Sequence, residues 1–213
     1  MLFYAIFSLL FSFESILILF SNNFAKYLSH WFVLTILAYS ILSAIQVLII
    51  LPIETSLISH NTAIVSILYL PHSVRVLAAW LIGPRAIFAL VPASLIVQFI
   101  MKIDDGMLLP ADVIIAMVGA LCAPVAFELM RGLRINIYPT RYGVVSWRTL
   151  VFGGFLSSIL NSFFSTFFLE DKYPVQDTFN VLTRFIIGDV MGLVVVLFLF
   201  LGLLRVFRRF SNV

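Results

Sequence analysis

The chain predicts an all-α fold, a polytopic bundle of about seven transmembrane helices making a single integral membrane domain over residues 1–213. Three observations predict it. Hydrophobic residues make up 62% of the sequence and charged ones 11%, whereas a soluble domain is roughly one quarter charged. Mean hydropathy is +1.14, so too few charges exist to wrap the apolar residues in a water-facing shell, and lipid must be the solvent. The apolar runs approach the ~20 residues that cross a hydrocarbon core, and none shows the strict alternation of a lipid-facing barrel strand.

In chain order the candidate spans are 2–20, 31–52, 61–83, 85–101, 109–130, 149–169 and 184–204. The first has neither a basic leader nor a small-residue cleavage site, so it reads as a retained helix rather than a signal peptide; Glu14 marks it as short or interfacial. The third is interrupted by Pro71. The fifth carries Glu128 near its end, followed by Arg131, which places that carboxylate at an interface. The sixth holds Asn161 within "SSILNSFFST", and the seventh holds Arg184 and Asp189.

Basic residues set the expected orientation. Arg131, Arg134, Arg141 and Arg148 crowd one loop, and Arg205, Arg208 and Arg209 follow the last span. The positive-inside rule makes both regions cytoplasmic. "KIDDG" (102–106) and "EDKYPVQD" (170–177) then face outward, and Lys26 and Arg85 face inward. Nine of the thirteen basic residues thus fall inside. The expectation is a multi-pass protein of the cell inner (plasma) membrane with an outer N-terminus and a cytoplasmic C-terminus.

Ionisable groups inside a span are costly, about 2.5–3.5 kcal/mol for a central Arg or Asp, and mark functional candidates. Within "YLPHSVRVLAAWLIG" (69–83) stand Pro71, His72 and Arg75. Proline lacks an N–H and disfavours helix just before it, so Pro71 either starts a helix or kinks one. The first alternative makes a half-helix of about 18 Å at 1.5 Å per residue, whose N-terminal N–H groups and dipole face the bilayer interior. In "RFIIGDVMG", Asp189 lies more than a turn beyond Arg184, a spacing that does not bring the two side chains together. Arg75 is the expected partner of Asp189. That pair either locks two helices or holds a ligand. Gly188 and Gly192, four apart, let another helix approach closely.

His30, His60 and His72 are scattered, and no metal-ligand spacing or catalytic motif is present. No catalytic residue, metal site or cofactor is therefore expected, and the protein is not read as an enzyme. Cys122 reads as a small buried hydrophobe.

Two segments resemble one family together. "LYLPHSVRVLAAWLIGPRAIFALVPASLI" is similar to the early half of the type-one membrane-associated sensor (MASE) domains of bacterial signalling proteins. "RFIIGDVMGLVVVLFLF" resembles their closing Gly-Asp-x-x-Gly signature, matched by Gly188, Asp189 and Gly192. The likeness covers roughly 60–205. It departs at Leu70 and His72, where the family carries tryptophan and a second proline, and at Arg75, where an apolar residue is usual. The resemblance implies a sensory or ligand-binding module. The chain reaches Val213 nine residues after Leu204, so output is expected to pass to a separate partner. The expected partners are the lipid bilayer, a small-molecule ligand and that separate protein, with no nucleic acid. Alternative readings are the substrate-binding subunit of a multi-subunit importer, or a structural accessory protein.

Overall fold

A computed structural model describes residues 30–57, 66–102, 109–135, 138, 147–168 and 178–211. The 2–20 run with Glu14, residues 103–106 of "KIDDG", the "EDKYPVQD" loop, Lys26, His60 and Arg141 lie outside the described residues. Among the described residues every regular element is helical and none is a strand.

Among the described residues, five helical stretches are long and apolar enough to cross a membrane: Trp31–Leu57, Pro71–Lys102, Pro110–Gly132, Arg148–Phe168 and Phe179–Gly202. That is fewer than the roughly seven expected of the whole chain. The runs 61–83 and 85–101 fall on one continuous helical stretch, Pro71–Lys102, which doubles back at Gly83–Ala86 and whose first leg is too short to cross alone. The 2–20 run is not among the described residues.

Helix α1 comprises Trp31–Ile45, a wide π turn at Gln46–Ile50 and Leu51–Leu57. Pro52 explains the wide turn. It supplies no N–H to the carbonyl of Leu48 and its ring crowds that carbonyl, a conflict that a π turn relieves. Helix α2, Pro71–Ile82, starts with proline in its first turn, where the missing N–H costs nothing. It stops at Gly83, whose φ of 69° only glycine adopts cheaply. A 3₁₀ turn, Gly83–Ala86, reverses the chain into α3, Ile87–Lys102. Helix α4 is Pro110–Gly132, with Asp112 accepting from the Leu109 N–H at 3.1 Å. Helix α5 is Trp147–Phe168 and α6 is Thr178–Ser211.

Helix α2 is the axis. It packs against α1, α4, α5 and α6, and nine of its twelve residues are buried. Neighbouring contacts α1–α3, α3–α4, α4–α5 and α5–α6 wrap the other helices around it. Their outer surface is apolar: Phe152, Phe155, Ile159, Phe163 and Phe167 form one exposed stripe on α5, and Leu34, Leu37, Ile41 and Leu48 another on α1. The opposite face of α5 buries Ser157, Ser158, Asn161, Ser162, Ser165 and Thr166. Apolar outside and polar within is the arrangement lipid demands.

Lipid supplies little hydrophobic drive between helices, so close packing of small residues must hold them. Ala79, Ala86, Ala89, Ala93, Ala120, Ala123 and Ala126 are accordingly all fully buried. The main apolar cluster, Val76, Ala79, Trp80, Ala123, Phe127, Met130, Leu150 and Leu193, fills one half of the bundle. That half ends in exposed Arg85, Arg131, Arg134, Arg148 and Arg205, where α2, α4 and α6 finish and α3 and α5 begin. The other half contains the polar groups.

Candidate functional site

The site begins with the segment 66–70, which is not part of a helix. Its backbone polar groups need partners inside the bundle, and α1 and α6 supply them. The Tyr69 N–H donates to the Gly188 carbonyl at 2.9 Å. The Leu70 N–H donates to Gln46 Oε1 at 3.0 Å, and Gln46 Nε2 donates to the Ser66 hydroxyl at 2.9 Å. The Leu68 N–H reaches Glu54 Oε1 at 2.9 Å. Gln46 occupies the first position of the wide turn in α1, so the Pro52 distortion lies where this buried amide is needed.

Gly188 and Gly192 explain how the segment comes so close. A Cβ on Gly188 would overlap the Ser66 carbonyl oxygen, and one on Gly192 would overlap that of Tyr69. The small pair does admit a close neighbour, but that neighbour is the 66–70 backbone rather than the helix expected.

Pro71 then opens α2 at depth, and its first turns bring His72 and Arg75 inside, 0% and 6% exposed. Asp189, 1% exposed, does not pair with Arg75, which corrects the expected partnership: the ion pairs among the described residues do not include them. Asn161 donates to Asp189 Oδ2 at 2.9 Å, and His72 Nδ1 lies 3.4 Å from the same oxygen. The histidine contact is too long and poorly aligned for a strong hydrogen bond, and Nδ1 has no other partner. The far ring nitrogen, Nε2, lies 3.2 Å from the Gly154 carbonyl oxygen. A carbonyl only accepts, so Nε2 carries a proton.

Arg75 has different company. One guanidinium nitrogen donates to the Tyr39 hydroxyl at 2.7 Å. Its carbon lies 5.4 Å from the centre of the Tyr39 ring and 5.6 Å from that of Tyr69, both within cation–π range. The group lies flat on α4 at Gly119, where a Cβ would stand 2.7 Å from either terminal nitrogen.

These groups surround a cavity of about 310 Å³, at the lower end of the roughly 300–1,000 Å³ typical of small-molecule sites. Tyr39, Ser43, Gln46 and Leu51 line it from α1, and Ser66 and Tyr69 from the segment before α2. Pro71 and Arg75 come from α2, Ser94, Gln98 and Met101 from α3, and Ile115 and Ala116 from α4. Asn161 and Ser165 of α5 and Phe185 and Asp189 of α6 complete it.

Of the residues singled out in the sequence, Pro71, Arg75, Asn161 and Asp189 therefore share one cavity, with His72 touching Asp189 and Gly188 and Gly192 seating the 66–70 segment. Arg184 is half-buried and outside the lining. Glu128 lies at the other end, accepting from the Tyr138 hydroxyl at 2.6 Å and paired with Arg131. The sequence reading missed Tyr39, Ser43, Gln46 and Glu54. Thr35, Tyr39, Ser43 and Gln46 are spaced four, four and three apart, which lays them on one helical face, and all four are buried.

Fold and site together define a helical bundle of membrane-protein type with a polar cavity around a central short helix. Comparison with protein-family models, curated proteins and solved structures finds no match.

Proposed function

We propose that this protein is a membrane ligand-binding module of the sensory kind, resembling a MASE domain, which takes a small molecule into the cavity and passes its occupancy to a separate partner. The observation that carries this is the cavity itself, lined with buried polar groups from α1, α2, α3, α5 and α6 of a bundle whose outer surface is apolar. Polar groups are costly in a membrane interior and are retained there where they bind or relay something. The cavity lies where α1, α3 and α5 end, opposite the exposed arginines. With those arginines cytoplasmic, the cavity faces the outer side, and α6 runs from Asp189 to Arg205 at the inner face. A ligand that bound two positions of α6 with different affinity would shift their populations.

The test is native mass spectrometry of protein released from membranes in mild detergent. A bound small molecule that is lost in an Arg75→Gln, Asp189→Asn variant supports the proposal; protein that carries no molecule, with a cavity closed to small reagents, refutes it. A short helix preceded by a non-helical segment also favours the importer-subunit reading, since transporters build binding sites from discontinuous helices. Uptake into proteoliposomes only with an ATPase partner would select that reading.

A further inference from the structure

Resting on the ligand-binding reading, we infer that the cavity takes a small zwitterion of the α-amino-acid type, its carboxylate on Arg75 and its ammonium on Asp189. The lining carries groups of both signs: the Arg75 guanidinium from α2 and the Asp189 carboxyl from α6, both buried. They are not spent on each other, because the ion pairs among the described residues do not join them. Each therefore stands as a separate pole on the wall of one cavity.

Neither pole is complete in its bonding. A guanidinium offers five N–H donors; at Arg75 the Tyr39 hydroxyl accepts one bond, and Nε is buried without a partner. Ser43 follows Tyr39 by one turn on the same face of α1, and its hydroxyl, also on the lining, is buried without a partner. At the other pole Asn161 donates to Oδ2 of Asp189, and no hydrogen bond among the described residues reaches Oδ1. Phe185 lines the cavity one turn before Asp189 on α6, an aromatic ring of the kind that suits a nearby ammonium.

Size decides between ligand charges. A space of about 310 Å³ equals in volume a sphere about 8 Å across, so an occupant lies within reach of both poles, where charges interact strongly in a low dielectric. A lone anion on Arg75 brings a second negative charge toward Asp189, and a lone cation on Asp189 faces Arg75. A molecule with both ends meets each pole with the opposite sign and adds no net charge to the bundle. The guanidinium fork matches a planar carboxylate, and an ammonium has three donors to offer Oδ1. Leu51, Val97, Met101 and Ile115 leave apolar wall for a short side chain.

The experiment uses the full chain in maltoside detergent, dialysed free of small molecules. Calorimetric titration compares L-alanine, L-valine and L-leucine, each with the acid that lacks its amine and the amine that lacks its carboxylate. At least one zwitterion should bind about tenfold or more tighter than both of its halves. Arg75→Gln should then shift the preference toward the amine, and Asp189→Asn toward the acid; where a variant does not fold, the unaltered chain decides alone. A half-molecule that binds as tightly as its zwitterion, or a preference that stays put in the folded variants, overturns the inference and leaves the ligand-binding reading standing. Where nothing in the series binds, a thiol placed on the lining by Ser165→Cys in a Cys122→Ala background separates the two. Its modification by a small neutral methanethiosulfonate means an open cavity that takes no zwitterion, and overturns the inference alone. A thiol that the reagent cannot reach brings down both.

Discussion

Replacing Gly192 with alanine tests the seating of the 66–70 segment on α6. The new Cβ would overlap the Tyr69 carbonyl oxygen, stand 2.5 Å from its carbon and lie 3.0 Å from the Leu70 nitrogen. Ordinary carbon contacts lie near 3.5–4.0 Å, so the segment must retreat by about 1 Å. What it meets is backbone, which cannot swing aside like a side-chain tip. Overpacking of this kind costs about 1–3 kcal/mol. Retreat also strains the 2.9 Å bond from the Tyr69 N–H to the Gly188 carbonyl, worth about 1 kcal/mol. Alanine regains up to about 1 kcal/mol of helix propensity. Gly202→Ala supplies the control, because it lies on the same helix with nothing within 4 Å of its added Cβ. The propensity gain is then common to both variants, and Gly192→Ala should be less stable than Gly202→Ala by about 3 kcal/mol. Equilibrium unfolding in mixed micelles with rising dodecyl sulfate, read by tryptophan fluorescence, measures the gap. Two alanines within about 0.5 kcal/mol of each other would falsify the seating and the role given to the glycine pair.

Three further outcomes are expected. In double-mutant cycles read by the same unfolding assay, the coupling of Asn161→Ala with Asp189→Ala should reach about 1–3 kcal/mol and exceed that of Arg75→Gln with Asp189→Ala; the reverse order contradicts the partner assignment. Gly119→Ala pushes against the guanidinium, a flexible side-chain end, so it should cost only about 1 kcal/mol and lose nothing more when Tyr39→Phe is added; additive losses would show that the Arg75–Tyr39 bond survives. At the arginine-rich end, burial first and then the bond to Glu128 raise the Tyr138 phenol above its ordinary value. The unfolded chain then loses that proton first, from about pH 10, so this contribution is full below pH 10 and declines as pH rises toward the folded value. Tyr138→Phe should flatten that decline, and an unchanged profile from pH 9 to 11 counts against it.

The ends of α2 were legible because they rest on local chemistry: Pro71 has no N–H to lose at a helix start, and Gly83 adopts a φ of 69°. The buried charges were legible too, since Arg75 and Asp189 cannot face lipid. Their partners were not. Spacing along one helix says which residues share a face, but not which face of a distant helix turns toward it; Tyr39 lies 36 positions before Arg75 in sequence. The polar stripe on α1 has a helical period, yet its members are uncharged and stand out less than an arginine in an apolar run. The smaller number of spans among the described residues has another reason. Hydropathy averages 61–83 into one apolar run and cannot distinguish a complete helix from a twelve-residue one preceded by a non-helical segment.

That substitution of backbone for helix is what makes the cavity. Twelve helical residues cover only about 18 Å at 1.5 Å each, so α2 by itself falls short of a full span and is preceded by the non-helical 66–70 segment. A complete helix would satisfy its own backbone and need no polar company. The 66–70 stretch cannot, and it draws Gln46, Glu54 and the Gly188 carbonyl toward it. Once those groups are inside, α1 and α6 are held apart by the segment's width. The space beside it then falls among polar faces, with Arg75 at its wall. Burying an ion costs several kcal/mol, against about 1–2 kcal/mol from a cation–π contact and 1.5–3 kcal/mol from a charged hydrogen bond.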